Sequence, residues 1–279
     1  MIIHKNLRLL SICVSCIVIL TGLTGCVFSV TKTPVSIITK TLNALTQVKS
    51  YQLYTDFTDG PGPGSTEWKG TRVIDVSDKA MSMNMAITSG AFLTTDEEYF
   101  VNGQDYLKTV AEANSPPTWG WSARALVDDV WNAQIEIPFL TELLKNPTKF
   151  GSLETEQLND VGCYVVTITP SAQAAIDFLV SQGEPGGPAI GNWLWGGGGG
   201  VLVRTDTYNY GSVELWINKA NNLPVKVTVN LDFRGHLNME NPDILDESLQ
   251  GELDFSNYNQ PVSIQVPQDA LNAQNVSNY

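Results

Sequence analysis

Between Val213 and Phe233 the chain keeps a strict beat. Val213, Leu215 and Ile217 lead through residues 218–222 into Leu223, Val225, Val227, Val229, Leu231 and Phe233, with every second residue apolar. Successive strand side chains point to opposite faces, so this period of two predicts a hairpin with one dry face and one wet face. A dry face must be covered by another layer. The same period recurs upstream. Tyr51, Leu53, Thr55 and Phe57 alternate with Gln52, Tyr54 and Asp56, residues 60–64 (GPGPG) make a turn, and residues 67–78 form a second strand. Met81, Met83, Met85 and Ile87 mark a third, and a further pair lies near residues 98–102 and 106–110, broken at Gly103. This is the pattern of an antiparallel meander.

Helical spacing is scarcer. Pro34 opens a stretch in which Ile38, Leu42 and Leu45 recur at intervals of four and three. Residues 115–121 (SPPTWGW) read as irregular, residues 123–131 as a helical turn or two, and residues 139–145 as a short helix stopped by Pro147. Strands are expected at 153–158 and 163–169, followed by an amphipathic helix at 172–181 (AQAAIDFLVS). Residues 182–200 (QGEPGGPAIGNWLWGGGGG) combine five consecutive glycines, the most freely rotating backbone available, with Trp193 and Trp195. Similar strands flank this segment, so one sheet with an insertion is the simpler organisation. Leu249, Leu253 and Phe255 suggest another strand, and Val262, Ile264 and Val266 a last one before Pro267.

At the other end, Lys5 and Arg8 precede an uncharged run, LLSICVSCIVIL at residues 9–20, and then Leu23-Thr24-Gly25-Cys26. Charge, apolar core and small residues in that order are those of a secretory signal. Leu-Thr-Gly-Cys resembles the lipobox of bacterial lipoproteins, in which the cysteine is lipidated and the chain cut before it. The resemblance implies a signal peptide at 1–25, a lipidated Cys26, a tether at 26–33, and a body anchored to the membrane on its extracytoplasmic face. Two or more acyl chains make such an anchor stable. An uncleaved transmembrane anchor is the alternative.

The signal takes two of the 16 Lys and Arg and none of the 29 Asp and Glu, leaving 14 basic against 29 acidic residues, a mature charge of −15. Such a surface repels phosphate and argues against nucleic acid. Cys163 is then the one remaining thiol, beside Tyr164-Val165-Val166, and reads as a buried small hydrophobe. His236 sits in a polar loop, RGHLNMENPD, without a second histidine to share a metal. No nucleophile elbow and no phosphate loop is present. Asp96-Glu97-Glu98 and Asp128-Asp129 are candidate acids but read as solvated charge, and Asp243, Asp246 and Glu247 do not fit an EF-hand loop. The Met81, Met83, Met85 stripe suits either soft Cu(I) or an adaptable apolar wall, and without a nearby histidine the wall is favoured. No enzyme, metal or cofactor is expected.

Several features together look like a known family. A helix ending in Val48-Lys49-Ser50-Tyr51, the meander, Val213-Glu214-Leu215-Trp216-Ile217-Asn218-Lys219 followed by Leu223-Pro224-Val225-Lys226-Val227, and Phe255-Ser256-Asn257-Tyr258 leading to Pro261-Val262 resemble the LppX/LprG-type lipoproteins, similar in fold to the carriers LolA and LolB. The resemblance covers about residues 34–270. It implies an α+β fold: a strongly curved antiparallel sheet, half a barrel, around a few helices, with an apolar cavity for acyl chains and a polar tail at 271–279. The residues alone point the same way, because two good helices are little cover for so long a sheet; a filled core is the alternative. Met83, Met85, Val227, Val229 and Leu231 are the expected cavity wall and Trp193 and Trp195 its gate. The expected function is carriage of lipid or another apolar ligand in the cell envelope. A platform for an envelope protein partner is the second reading, and a weak carboxylate enzyme the third.

Overall fold

In the computed structural model, residues 32–59, 65–90, 92–109, 116–123, 131, 135–175, 204–236 and 244–275 are described. The chain divides between Thr33 and Pro34, and the second unit, Pro34–Tyr279, holds the sheet. It opens with helix α1 (Pro34–Leu45). Six strands follow: β1 (Ser50–Asp59), β2 (Thr66–Asp75), β3 (Ala80–Ser89), β4 (Phe92–Val101), β5 (Gln104–Thr109) and β6 (Thr118–Ala123). Helix α2 (Glu136–Lys145) leads to β7 (Lys149–Leu158), β8 (Val161–Thr169), β9 (Arg204–Asn218), β10 (Pro224–His236) and β11 (Ile244–Ser256). A short α3 (Gln268–Leu271) and the two-residue β12 (Gln274–Asn275) end it.

All twelve strands share one sheet, in the order β12-β6-β5-β4-β3-β2-β1-β11-β10-β9-β8-β7. Two meanders run outward from a central seam where β1 pairs antiparallel with β11. Eleven strands are antiparallel to their neighbours, β12 lies parallel to β6, and the sheet is not closed. Tight turns make this possible. Asn102 and Gly103 (φ 54° and 75°) and Asn159 and Asp160 (φ 48° and 65°) are two-residue hairpin loops with both residues left-handed, the geometry that matches strand twist.

One face of the sheet carries the core. Residues of β1, β2, β3, β8, β9, β10 and β11 join α1 and α2 in a single apolar cluster with Trp131 and Ile135. On α1, Ile37, Ile38, Thr41 and Leu45 are buried, and on α2, Phe139, Leu140, Leu143 and Leu144. The two helices touch each other, and α1 also meets β7. On the outward face α3 is held near β6 by Trp119, whose Nε1 donates to Asp269 Oδ2 at 3.0 Å.

The strands depart from the sequence reading in four places. Residues 118–121, expected to be irregular, and Ala123, expected to open a helical turn, belong to β6, because β5 supplies a continuous partner from Gln104–Ala123 to Thr109–Thr118. Val262, Ile264 and Val266 do alternate in burial but lie outside any strand. Periodicity reports which side is covered, whereas a strand also needs a neighbour to bond. His236 is the last residue of β10 rather than a loop residue, paired with Ile244 on one side and Arg204 on the other. Asp246 and Glu247 likewise lie within β11. Residues 172–175 are helical, as expected of the helix at 172–181. The remainder of that helix, Cys26, Asp128, Asp129, Asp243 and the segment with Trp193 and Trp195 lie outside the described residues.

Candidate functional site

Register fixes which residues meet on the covered face. One row crosses the sheet as Leu215, Val227, Leu253, Thr55, Gly70, Met85 and Asp96 on seven adjacent strands. The next begins Phe255, Leu53, Arg72, Met83 and Glu98. The five residues expected to form the wall, Met83, Met85, Val227, Val229 and Leu231, all belong to this face and are all buried. Met85 and Val227 share a row four strand spacings apart, roughly 19 Å at about 4.8 Å per spacing.

Two glycines interrupt the wall. A Cβ at Gly70 would lie 2.3 Å from the Asn84 carbonyl oxygen and 2.9 Å from Met85 Sδ. One at Gly251 would lie 2.5 Å from the Phe57 ring. Both glycines let a neighbouring side chain lie across the strand, which is the usual reason for glycine inside a sheet.

The face is not uniformly apolar. Arg72 occupies an inward position on β2, between Gly70 and Ile74, and is only 2% exposed. Its Nη1 donates to Glu136 Oε1, and Nη2 contacts Met83 Sδ at 3.6 Å. Glu136 is the first residue of α2, and its other oxygen accepts from Tyr51 Oη at 2.9 Å. The Tyr51 oxygen in turn accepts from the Glu136 backbone N–H at 3.3 Å. No side chain of Ile135 caps this helix, so Tyr51 serves one of its open N–H groups. Burial, and then the Glu136 carboxylate, push the Tyr51 phenol well above its ordinary 10.0. This triad pins α2 to the centre of the sheet.

A second polar sector lies on β4 and β5. Asp96 and Asp105 are buried and Glu98 is half-buried on the same face, so Asp96 is not the solvated charge expected of it. Its position opposite Met85 turns it inward. Asp105 pairs with Phe100, four residues along β4 from Asp96, about 13 Å at 3.3 Å per residue, so the two acids do not converge on one reacting atom. Glu97 faces outward and pairs with Lys108 at 2.9 Å. Among the described residues no group of His, Cys, Asp and Glu has the arrangement of a metal site.

Several buried polar atoms on this side have no partner among the described residues: Trp68 Nε1, Trp131 Nε1, Thr41 Oγ1 and Tyr258 Oη. Trp131 stacks on Phe100 with ring centroids 5.7 Å apart, and Tyr258 on Phe255 at 6.0 Å. Sequence reasoning missed Arg72, Glu136 and these donors. The signal for Arg72 was available, since it stands where the alternation of Trp68 and Ile74 calls for an apolar residue. Cys163, by contrast, is fully buried and free, with its thiol pushed up by burial, as the sequence suggested.

No family model matches this sequence, and no curated protein does. Among solved structures it is similar to the lipoprotein LppX of Mycobacterium tuberculosis, at 13% identity over 83% of this chain and 98% of that one, with a TM-score of 0.47. LprF of Mycobacterium bovis matches at 12% identity over 84% and 96%, with a TM-score of 0.48. A LolA superfamily protein of Nitrosomonas europaea matches at 15% identity over 85% and 96%, with a TM-score of 0.25. These are likenesses of fold.

Proposed function

We propose that this chain is a lipoprotein of the bacterial cell envelope, anchored through Cys26, that binds and carries a lipid or another apolar ligand without catalysing a reaction. The observation that carries the reading is the continuous apolar face of the open sheet, which runs from Met83 and Met85 on one half to Val227, Val229 and Leu231 on the other and is packed over by side chains of the helices and strands. In this reading an acyl chain enters that face by displacing the adaptable side chains packed on it.

The chemistry of the face fits an amphipathic cargo. Each buried CH₂ favours the protein over water by about 0.8 kcal/mol, so long acyl chains transfer without a cofactor. Methionines adapt to varied shapes. The ring N–H groups of Trp68 and Trp131 are donors that ester or headgroup oxygens would satisfy. Among the described residues no helix is long and apolar enough to cross a membrane. Attachment in this reading is by the lipid at Cys26. Trp193 and Trp195 would gate entry.

Native mass spectrometry of the mature protein, purified without detergent, tests this. Co-purifying lipid is expected, with uptake of a fluorescent fatty acid after delipidation and weaker uptake by Met83→Asp. Protein that arrives empty and takes up no fatty acid overturns the proposal.

A further inference from the structure

The outward face holds a second feature that the carrier reading leaves unused. Where β1 and β10 begin and β2 and β11 end, a hollow of about 530 Å³ is lined by two cross-strand rows, Thr71–Tyr54–Asp254 and Val73–Gln52–Ser256, with Asn159 of the β7–β8 turn above them. A neighbouring hollow of about 390 Å³ shares Val225 and Ser256 with it and continues past Asn218, Asn221 and Gln260. The register of β10 against β9 shifts between Pro224 and Lys226, at the Val225 that both hollows share. The two form one groove across the strand ends.

Its lining alternates apolar side chains such as Val73, Val225 and Leu223 with uncharged amides and hydroxyls. The amide oxygens are committed: Asn218 Oδ1 accepts from Ala220 N at 2.8 Å, Asn221 Oδ1 from Leu223 N at 3.0 Å, and Gln52 Oε1 from Asn257 Nδ2 at 2.7 Å. That leaves the NH₂ groups of Asn218, Asn221 and Gln52 as donors with no acceptor among the described residues. Tyr54, 38% exposed, offers an aromatic surface between them. The guanidinium of Arg72, though beside the groove, is turned inward to Glu136. Asp254 is the one carboxylate among the described lining residues, its pKa raised by burial and lowered by the nearby Lys226.

We propose that this groove binds an uncharged polyhydroxyl ligand, a glycan chain. Amide donors match sugar hydroxyl oxygens, and the apolar C–H face of a sugar ring lies on the negative face of an aromatic ring. A hollow of this size falls within the range for small ligands. An extended peptide is the weaker fit. Peptide addition uses the unpaired edge of a sheet, whereas this groove crosses strand ends whose backbone groups bond sideways to neighbours. For an anionic ligand the one cation among the described lining residues is Arg72, which is bonded to Glu136.

The test titrates the full mature protein with two neutral probes, the β-1,4-linked tetramer of N-acetylglucosamine and the α-1,4-linked tetramer of glucose, followed by tyrosine and tryptophan fluorescence and by calorimetry. Saturable millimolar-range binding of at least one is expected. Tyr54→Ala should weaken it about tenfold while Tyr54→Phe keeps it, since only the ring is needed. Gln52→Glu and Asn221→Asp retain the internal hydrogen bonds but replace the donor with an acceptor, so each should weaken binding with an unchanged melting temperature. Failure of both probes to bind, binding indifferent to all four variants, or capture of an extended peptide in place of either sugar overturns the proposal. Fatty acid uptake should be the same in every variant, which separates this groove from the covered face.

Discussion

Replacing Glu136 by Leu would leave the Arg72 guanidinium on the covered face without its carboxylate. Both side chains are nearly buried, at 2% and 6% exposure, so neither charge is relieved by solvent. Removing one partner of such a pair costs about 3–5 kcal/mol, whereas an exposed pair such as Lys145 with Glu142 contributes at most about 1 kcal/mol. The two halves are not equivalent. Glu136→Leu strands both the Arg72 guanidinium and the Tyr51 hydroxyl that donates to Glu136 Oε2, whereas Arg72→Met leaves Glu136 its Tyr51 partner. Glu136→Leu is therefore expected to cost more than Arg72→Met, and the double variant to lie within about 2 kcal/mol of the parent, because an apolar pair replaces both charges. Urea denaturation of the four proteins, with the coupling energy taken from the cycle, measures this. For a chain of this size about 2–4 °C in Tm follows each kcal/mol, so Glu136→Leu should melt about 6–20 °C lower. A loss under about 1 kcal/mol, or additive single effects, would refute the reasoning that the pair is buried and mutually dependent.

Three further outcomes are expected. Gly251→Ala should destabilise by about 1–3 kcal/mol in urea, because its Cβ would meet the Phe57 ring and the Asp56 carbonyl at 2.5 Å; a neutral effect would mean the strand relaxes freely there. With Cys13, Cys16 and Cys26 changed to Ser, Cys163 should react with a thiol reagent only in denaturant, since burial raises its pKa and closes access; prompt reaction in buffer would contradict this. Tyr51 and Tyr258 both have phenols raised by burial. The unfolded chain sheds these protons near 10.0 while the folded one retains them. Stability is therefore intact below that value and falls above it, and ultraviolet titration should show the two phenols ionising only as the fold is lost.

Much of the sheet was legible because its signals are local. The alternation in β3, β9 and β10 needs no knowledge of partners, and the Asn102-Gly103 turn announces itself by chemistry. What the sequence hid was pairing. Residues 118–121 look irregular until β5 lies beside them, and Val262 to Val266 look like a strand but pair with no strand among the described residues. The expected wall residues share one face, but the acids on it could not be seen. Asp96 and Glu98 have the spacing of ordinary surface charge, and only their places opposite Met85 and Met83 turn them inward. Glu136 is hidden for a related reason. Its partner Arg72 is 64 residues away, and no short window holds both.

The unpaired margins at β7 and β12 matter for more than topology. A closed barrel has a girth quantised by its strand number and stagger. Among the described residues no hydrogen-bonded ring ties the two rims. In the carrier role proposed above, their separation would then follow the bulk held between them, and one sequence would serve occupants of several lengths.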